Sequence, residues 1–162
     1  MDVFSREYYK EIFINSLKHC QENKGLNLHA CVIMTNHVHL IISSNTNKIE
    51  DIVRDLKKYT SKKIIAAIQE NRTESRKEWM LNLFSFAGKN NNNNTDFQFW
   101  KQDYHPIELN SAEKLKERID YLPVRTAGRA GMKTRLEAAR FGNPGIINTA
   151  VLLIIIQMNM GC

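Results

Sequence analysis

The sequence predicts an α+β domain in which helices lie on one face of an antiparallel sheet. Two segments, residues 5–24 and 48–70, carry apolar side chains at the spacing of an amphipathic helix. Between them lies the β-rich stretch LNLHACVIMTNHVHLIIS, and shorter strand-like and helix-like segments follow. The 162 residues suffice for one domain with a substantial core.

Composition and charge narrow the classes of protein to consider. Hydrophobic residues make up 43% and charged residues 25%, as in ordinary globular proteins, and the net charge of +6 favours polyanionic partners. The longest apolar run, Ala150 to Ile156, is far shorter than the roughly 20 residues that span a bilayer. No signal-peptide pattern is present, and three scattered cysteines are typical of reduced thiols. We therefore predict a cytoplasmic protein with no membrane partner.

The first half of the chain contains the clearest elements. Ser5 is a candidate N-cap of the first helix, and Gly25 can end that helix. Within the β-rich stretch, the segment TNHV is compatible with a bend, a bulge or an uninterrupted strand. The helix over 48–70 places its apolar stripe at Ile49, Ile52, Val53, Leu56, Ile64, Ala67 and Ile68.

The middle of the chain is less regular. Residues 71–96 are predicted to be irregular, because they include the low-complexity segment GKNNNNNT. The segment FQFWKQDY, residues 97–104, alternates apolar and polar side chains at its start and predicts a strand. Pro106 is predicted to end this strand.

A further helix is predicted over residues 110–122. Asn110 or Ser111 can cap its start, and Pro123 is predicted to stop it. Its apolar stripe consists of Ala112, Leu115, Ile119 and Leu122.

The character of the sequence changes after this helix. Residues 123–162 contain one aromatic side chain, Phe141, and no clear period. Five basic residues against one acidic residue give this segment a net charge of +4. We therefore predict two parts, residues 1–122 and a divergent C-terminal tail, 123–162, that packs poorly and is irregular.

Two histidines lie two residues apart in the segment VIMTNHVHLIIS. In an extended strand His37 and His39 point to the same face, and two neutral imidazoles form half of a metal site. The apolar flanks make this position partly dry, where unpaired imidazoles cost free energy. A third ligand must come from elsewhere in the fold. The alternative is a pair of partly exposed histidines at a sheet edge.

Tyr121 lies away from the apolar stripe of the last helix, about 200° round from Ile119. It is either an amphipathic surface tyrosine or a phenolic nucleophile beside a metal, able to attack a phosphodiester. On the helix over 48–70, Arg54, Lys58 and Lys62 lie four residues apart and form one stripe. This stripe is either a solvated face or a surface that contacts phosphates.

These features in this order resemble the REP-associated tyrosine transposases, which belong to the HUH superfamily of single-strand DNA transposases and relaxases. The resemblance covers residues 2–122 and rests on VIMTNHVHLII, the basic helix, FWKQDYHPIEL and the helix that ends IDY. It implies a ferredoxin-like sheet on which His37 and His39 bind Mg²⁺ or Mn²⁺, with Tyr121 as the nucleophile.

The resemblance also implies a reaction and a partner. Such enzymes cleave and rejoin single-stranded DNA beside hairpins through a 5′-phosphotyrosine intermediate. The expected partner is therefore single-stranded or hairpin DNA, and the protein is expected to be a monomer or a homodimer. The candidates for contacts with the DNA backbone are Arg54, Lys57, Lys58, Lys62 and Lys63.

The sequence departs from the family pattern at both ends. The family places a strand before the first helix, and a ferredoxin-like sheet without that strand leaves a neighbouring edge exposed. After Tyr121 the family has Asn at the fourth position, where this chain has Arg125, and Pro123 follows two residues after the tyrosine. We hypothesise an N-terminal truncation and a frameshift near codons 122–126. The alternative to an active enzyme is an inactive remnant that at most binds hairpin or single-stranded DNA.

Overall fold

The computed structural model describes residues 2–90, 96–102, 104, 106–127 and 150–159, without the side chains of Ile119 and of residues 121–127. A 3-10 helix, Val3–Ser5, comes first. The further elements are α1 (Glu7–Lys24), β1 (Leu26–Ile33), β2 (His37–Ser44), α2 (Ile49–Glu70), α3 (Lys77–Lys89), β3 (Ile107–Glu108), α4 (Ala112–Ala127) and β4 (Leu152–Gln157). The predicted α+β class is confirmed.

The four strands form one sheet in the order β1-β2-β4-β3, and every neighbouring pair is antiparallel. β1 and β2 form a hairpin, and the TNHV segment contains its bend at residues 35–36. Of the three alternatives that the sequence left open, the bend is therefore correct. Within β1 the pairing register shifts between Leu28 and Ala30, which marks a β-bulge.

For residues 150–159, β4 corrects the prediction that the C-terminal segment packs poorly, whereas residues 128–149 of that segment lie outside the described part of the chain. This strand lies between β2 and β3, and Ile154, Ile156 and Met158 are almost fully buried. An uninterrupted run of leucine and isoleucine is typical of a strand that is buried on both faces. Such a run has no alternation of apolar and polar residues, so its periodicity does not identify it as a strand. β4 pairs along the edge of β2 opposite β1, so both edges of β2 are paired. The division into residues 1–122 and 123–162 stays a prediction.

α1 and α2 pack together and share the main hydrophobic core with one face of the sheet. Gly25 ends α1 as predicted, with a left-handed φ of 67° that suits glycine. Ser5 is not the N-cap, since Arg6 occupies that position and the Ser5 hydroxyl donates to the backbone oxygen of Asp2 at 2.7 Å.

α3 corrects the prediction of an irregular segment over residues 71–96. Met80, Phe84 and Ala87 are buried on one side of this helix, at the spacing of an amphipathic helix. The prediction rested on the low-complexity segment GKNNNNNT, and α3 occupies the residues before it and ends at its second residue, Lys89. A side chain at Gly88 would meet the backbone oxygen of Asp96 at 2.8 Å, so glycine permits this close approach.

Of the predicted strand over residues 97–104, the described residues (97–102 and 104) form only an isolated bridge between Trp100 and Met158. Its aromatic side chains instead fill the main core, where Phe99 packs against Phe84 and Trp100. Pro106 ends no strand, because β3 begins directly after it.

α4 begins as predicted and ends later than predicted. The Ser111 hydroxyl accepts a hydrogen bond from the Lys114 N–H at 3.2 Å, as an N-cap does. The helix continues through Pro123 to Ala127, so Pro123 does not stop it. Of its predicted stripe, Leu115 packs against the sheet while Ala112 is exposed.

The burial of β4 leads to a stability prediction. Ile154 is 0% exposed in the main core, whereas Ile107 on β3 is 47% exposed. We expect Ile154→Ala to lower the free energy of unfolding by about 2–5 kcal/mol, because it leaves a cavity in the core. The control Ile107→Ala should change it by less than about 0.5 kcal/mol. Urea denaturation measures both, and equal effects would show that β4 is not part of the folded core.

Candidate active site

The alternation of side chains along β2 gives the sheet two different faces. Val38, Leu40 and Ile42 point into the main core with α1 and α2. His37, His39 and Ile41 therefore point to the opposite face. We call this surface the histidine face. A smaller apolar cluster lies on it and contains Ala30, Val32, Ile41, Leu109, Val151 and Leu153.

The two predicted metal ligands lie side by side on the histidine face. The ring centroids of His37 and His39 are 5.0 Å apart, and both side chains are half-buried. The Asn36 side-chain oxygen Oδ1 lies 2.6 Å from His37 Nδ1 and accepts its hydrogen. With the hydrogen on Nδ1, a neutral His37 carries its lone pair on Nε2, the nitrogen that would bind a metal. Asn36 was not among the predicted site residues, although it directly precedes the histidine pair.

The donor set of this site fits a divalent ion in part. Two imidazoles on one strand face supply two nitrogen ligands, and a polar side chain orients one of them. Among the residues that the structure describes, no cluster of three His, Cys, Asp or Glu side chains is positioned to hold a metal.

α4 lies on the same face as the histidines. Its Leu115 packs against the small apolar cluster, and the helix contacts β1. Tyr121 belongs to α4, so its backbone is carried by the helix on the histidine face. Its side chain lies outside the described part of the structure, and its predicted role as nucleophile stays a prediction.

A third histidine, His29, lies on the histidine face next to the β-bulge. Its Nε2 is 2.8 Å from the hydroxyl oxygen of Ser43, which follows Ile41 at a spacing of two on β2. Burial lowers the pKa of His29, because the charged imidazolium loses solvation. No sequence pattern indicated this position, since the bulge moves His29 out of the regular alternation.

Two of the predicted DNA-contacting side chains bind within the protein. Arg54 forms ion pairs with Asp51 at 2.7 Å and Asp55 at 3.3 Å. The Lys57 ammonium donates to the backbone oxygen of Lys101 at 2.6 Å and lies over the ring of Tyr104. The two aspartates offset the charge of Arg54, while the Lys57 ammonium keeps its charge and is held against the segment 96–102.

Lys58 and Lys62 line a groove between α2 and the segment 96–102. This lysine groove has a volume of about 590 Å³, and Lys101 lines it from the other side. Lys63 lies apart from it, in a second groove between α1 and α2, with its ammonium 5.8 Å from the ring centre of Tyr59. α2 packs on the main core, so the structure does not bring these lysines onto the histidine face.

The fold and the paired imidazoles define an α+β domain of the kind expected for an HUH transposase. The comparison with known families agrees, because the family model described as "Transposase IS200 like" matches residues 1–96. The chain belongs to the IS200-like transposase family, and its general role is that of a transposase in DNA recombination. The matched residues include His37, His39 and the lysines of α2, while Tyr121 lies beyond them.

No curated protein and no solved structure matches this chain. Among the described residues, no helix has the combined length and apolarity that crossing a membrane requires.

The lowered pKa of His29 leads to a pH prediction. The unfolded chain binds this proton at a higher pH than the folded chain, so folding is less favourable in acid. We expect the free energy of unfolding to fall as the pH drops from about 7.5 toward 5.5, across the usual titration range of histidine. His29→Gln should remove part of this slope. Urea denaturation at several pH values measures it, and identical slopes would contradict the prediction.

Proposed function

We propose that this protein is a metal-dependent tyrosine transposase and nuclease that cleaves and rejoins single-stranded DNA beside hairpins. One observation carries the proposal: His37 and His39 lie together on the sheet face that α4, the helix of Tyr121, also contacts. A nucleophile and a phosphate-binding site must meet in one place, and this shared face offers such a place.

The reaction transfers a phosphoryl group from a 3′ oxygen of the DNA to the phenol oxygen of Tyr121. The Tyr121 phenol loses its proton, and its oxygen bonds to the scissile phosphorus while the bond from phosphorus to the 3′ oxygen breaks. The 3′ oxygen takes up a proton. The products are a 5′-phosphotyrosine link and a free 3′-OH, which later attacks the link and rejoins the strand.

A divalent ion such as Mg²⁺ or Mn²⁺, when bound, would polarise the scissile phosphate and offset the charge that develops on its oxygens. His37 and His39 would hold the ion through their ring nitrogens. The hydrogen bond to Asn36 fixes the ring of His37, which keeps its ligand nitrogen in one orientation.

The covalent intermediate provides the test. The probe is a hairpin oligonucleotide with a single-stranded flank, labelled at its 3′ end in one sample and at its 5′ end in another. With Mn²⁺, we expect a denaturing gel to show a protein adduct that carries only the 3′ label. Tyr121→Phe should abolish the adduct, because it lacks the attacking oxygen. The control Tyr8→Phe, at an exposed position of α1, should keep it.

An inactive remnant that only binds DNA is the second candidate. Two residues favour it: Pro123 lies within α4, and Arg125 stands where the family has Asn and is always protonated. Binding of the hairpin oligonucleotide without any adduct, in wild type as in Tyr121→Phe, would decide for this candidate and against the enzyme.

The lysine groove gives a separate prediction about DNA binding. Lys58 and Lys62 are exposed and line the groove, so they are the strongest candidates for phosphate contacts. We expect Lys58→Ala/Lys62→Ala to weaken single-strand binding and to flatten the dependence of log K on log salt by about 1.5. Fluorescence anisotropy at several salt concentrations measures this slope.

The matched control is Lys18→Ala/Lys89→Ala, which removes the same charge from exposed positions on α1 and α3. If both double variants flatten the slope equally, net charge explains the binding and the groove has no special role.

A further inference from the structure

Gln157 is the polar side chain that β4 brings next to the histidine pair. It is directly opposite His37 in the register of β2 and β4, as Ile155 is opposite His39. Directly paired residues on antiparallel strands point to the same face, with Cβ atoms about 4.5–5.5 Å apart. Ile154 and Ile156 point into the main core, which independently places Gln157 on the histidine face. Its side chain is exposed.

The backbone around Gln157 is fixed on both sides. Its carbonyl oxygen accepts a hydrogen bond from the Lys101 N–H at 2.8 Å. The next residue, Met158, donates its N–H to the backbone oxygen of Asn36 at 3.0 Å, and the Asn36 side chain in turn orients His37. Gln157 and His37 are thus held to each other through a short network, as the parts of a preorganised site are.

Glutamine can supply an oxygen ligand, which the histidine pair lacks. Mg²⁺ and Mn²⁺ prefer oxygen ligands, and the two imidazoles supply only nitrogen. The described residues bring no carboxylate or third histidine into a cluster with them. The amide oxygen Oε1 of Gln157 is a neutral oxygen donor on the correct face, next to His37.

We propose that Gln157 is an oxygen ligand of the divalent ion that His37 and His39 hold. The proposal rests on the proposed function, in which this pair binds a metal. It assigns the third ligand to β4, a strand that the sequence resemblance does not include.

Metal binding by the full-length protein tests this assignment without reference to activity. The measurement is titration with Mn²⁺, followed by the electron paramagnetic resonance signal of free Mn²⁺. We expect Gln157→Met to bind Mn²⁺ at least about tenfold more weakly, because it keeps the length of the side chain but removes the oxygen. Gln157→Glu keeps an oxygen and adds a negative charge, so it should bind as tightly as wild type or more tightly.

The matched control is Gln21→Met, at an exposed position of α1 on the other side of the sheet. It should bind Mn²⁺ as wild type does. Thermal unfolding in EDTA checks that each variant is folded, and the rescue by Gln157→Glu separates loss of a ligand from loss of structure.

The outcomes separate this proposal from the proposed function. If His37→Ala and His39→Ala lose Mn²⁺ binding while Gln157→Met keeps it, the histidines bind metal and Gln157 is not a ligand. If the histidine variants bind Mn²⁺ as wild type does, the metal site itself is refuted. Equal loss in Gln157→Met and Gln157→Glu would also overturn the assignment, because the oxygen would then have no effect.

Discussion

The pairing of β2 on both of its edges is the constraint on which the candidate site depends. β1 and β4 fix its register, so Val38 and Leu40 enter the core while His37 and His39 point to the other face. A slip of one residue would exchange the two sets, with imidazoles in the apolar core and aliphatic side chains outside. The backbone hydrogen bonds between these strands therefore stabilise the fold and also place the two imidazoles on the histidine face.

The lysines of α2 and the histidine pair lie on different sides of the sheet. The lysines of α2 line a groove beside the main core, whereas the histidines lie across the sheet from that helix. The segment 96–102 connects the two regions, since it forms one wall of the groove and the Lys101 N–H binds the strand that faces His37. In the proposed function, a DNA strand that contacts both regions passes the end of the sheet where Lys101 and Gln157 meet.

The elements that the sequence predicted well are those whose pattern is local. α1 and α2 follow from helical spacing, and the Gly25 terminus follows from backbone conformation. β4 could not be identified in this way, because a run of leucine and isoleucine has no period and its partner β2 lies more than a hundred residues earlier. The internal contacts of Arg54 and Lys57 could not be predicted for a related reason. Sequence spacing reveals a shared helix face but not the aspartates and carbonyl groups that bind these side chains.

The position of β4 in the chain affects how the protein is made. It is the last of the described strands to leave the ribosome, yet it lies inside the sheet between β2 and β3. Until residues 152–157 are synthesised, β4 cannot pair with β2. The apolar side chains that β4 covers are then accessible to solvent. Contacts between such distant segments form slowly, and unpaired strand edges promote aggregation. Most of the core is therefore synthesised before the strand that completes the centre of the sheet.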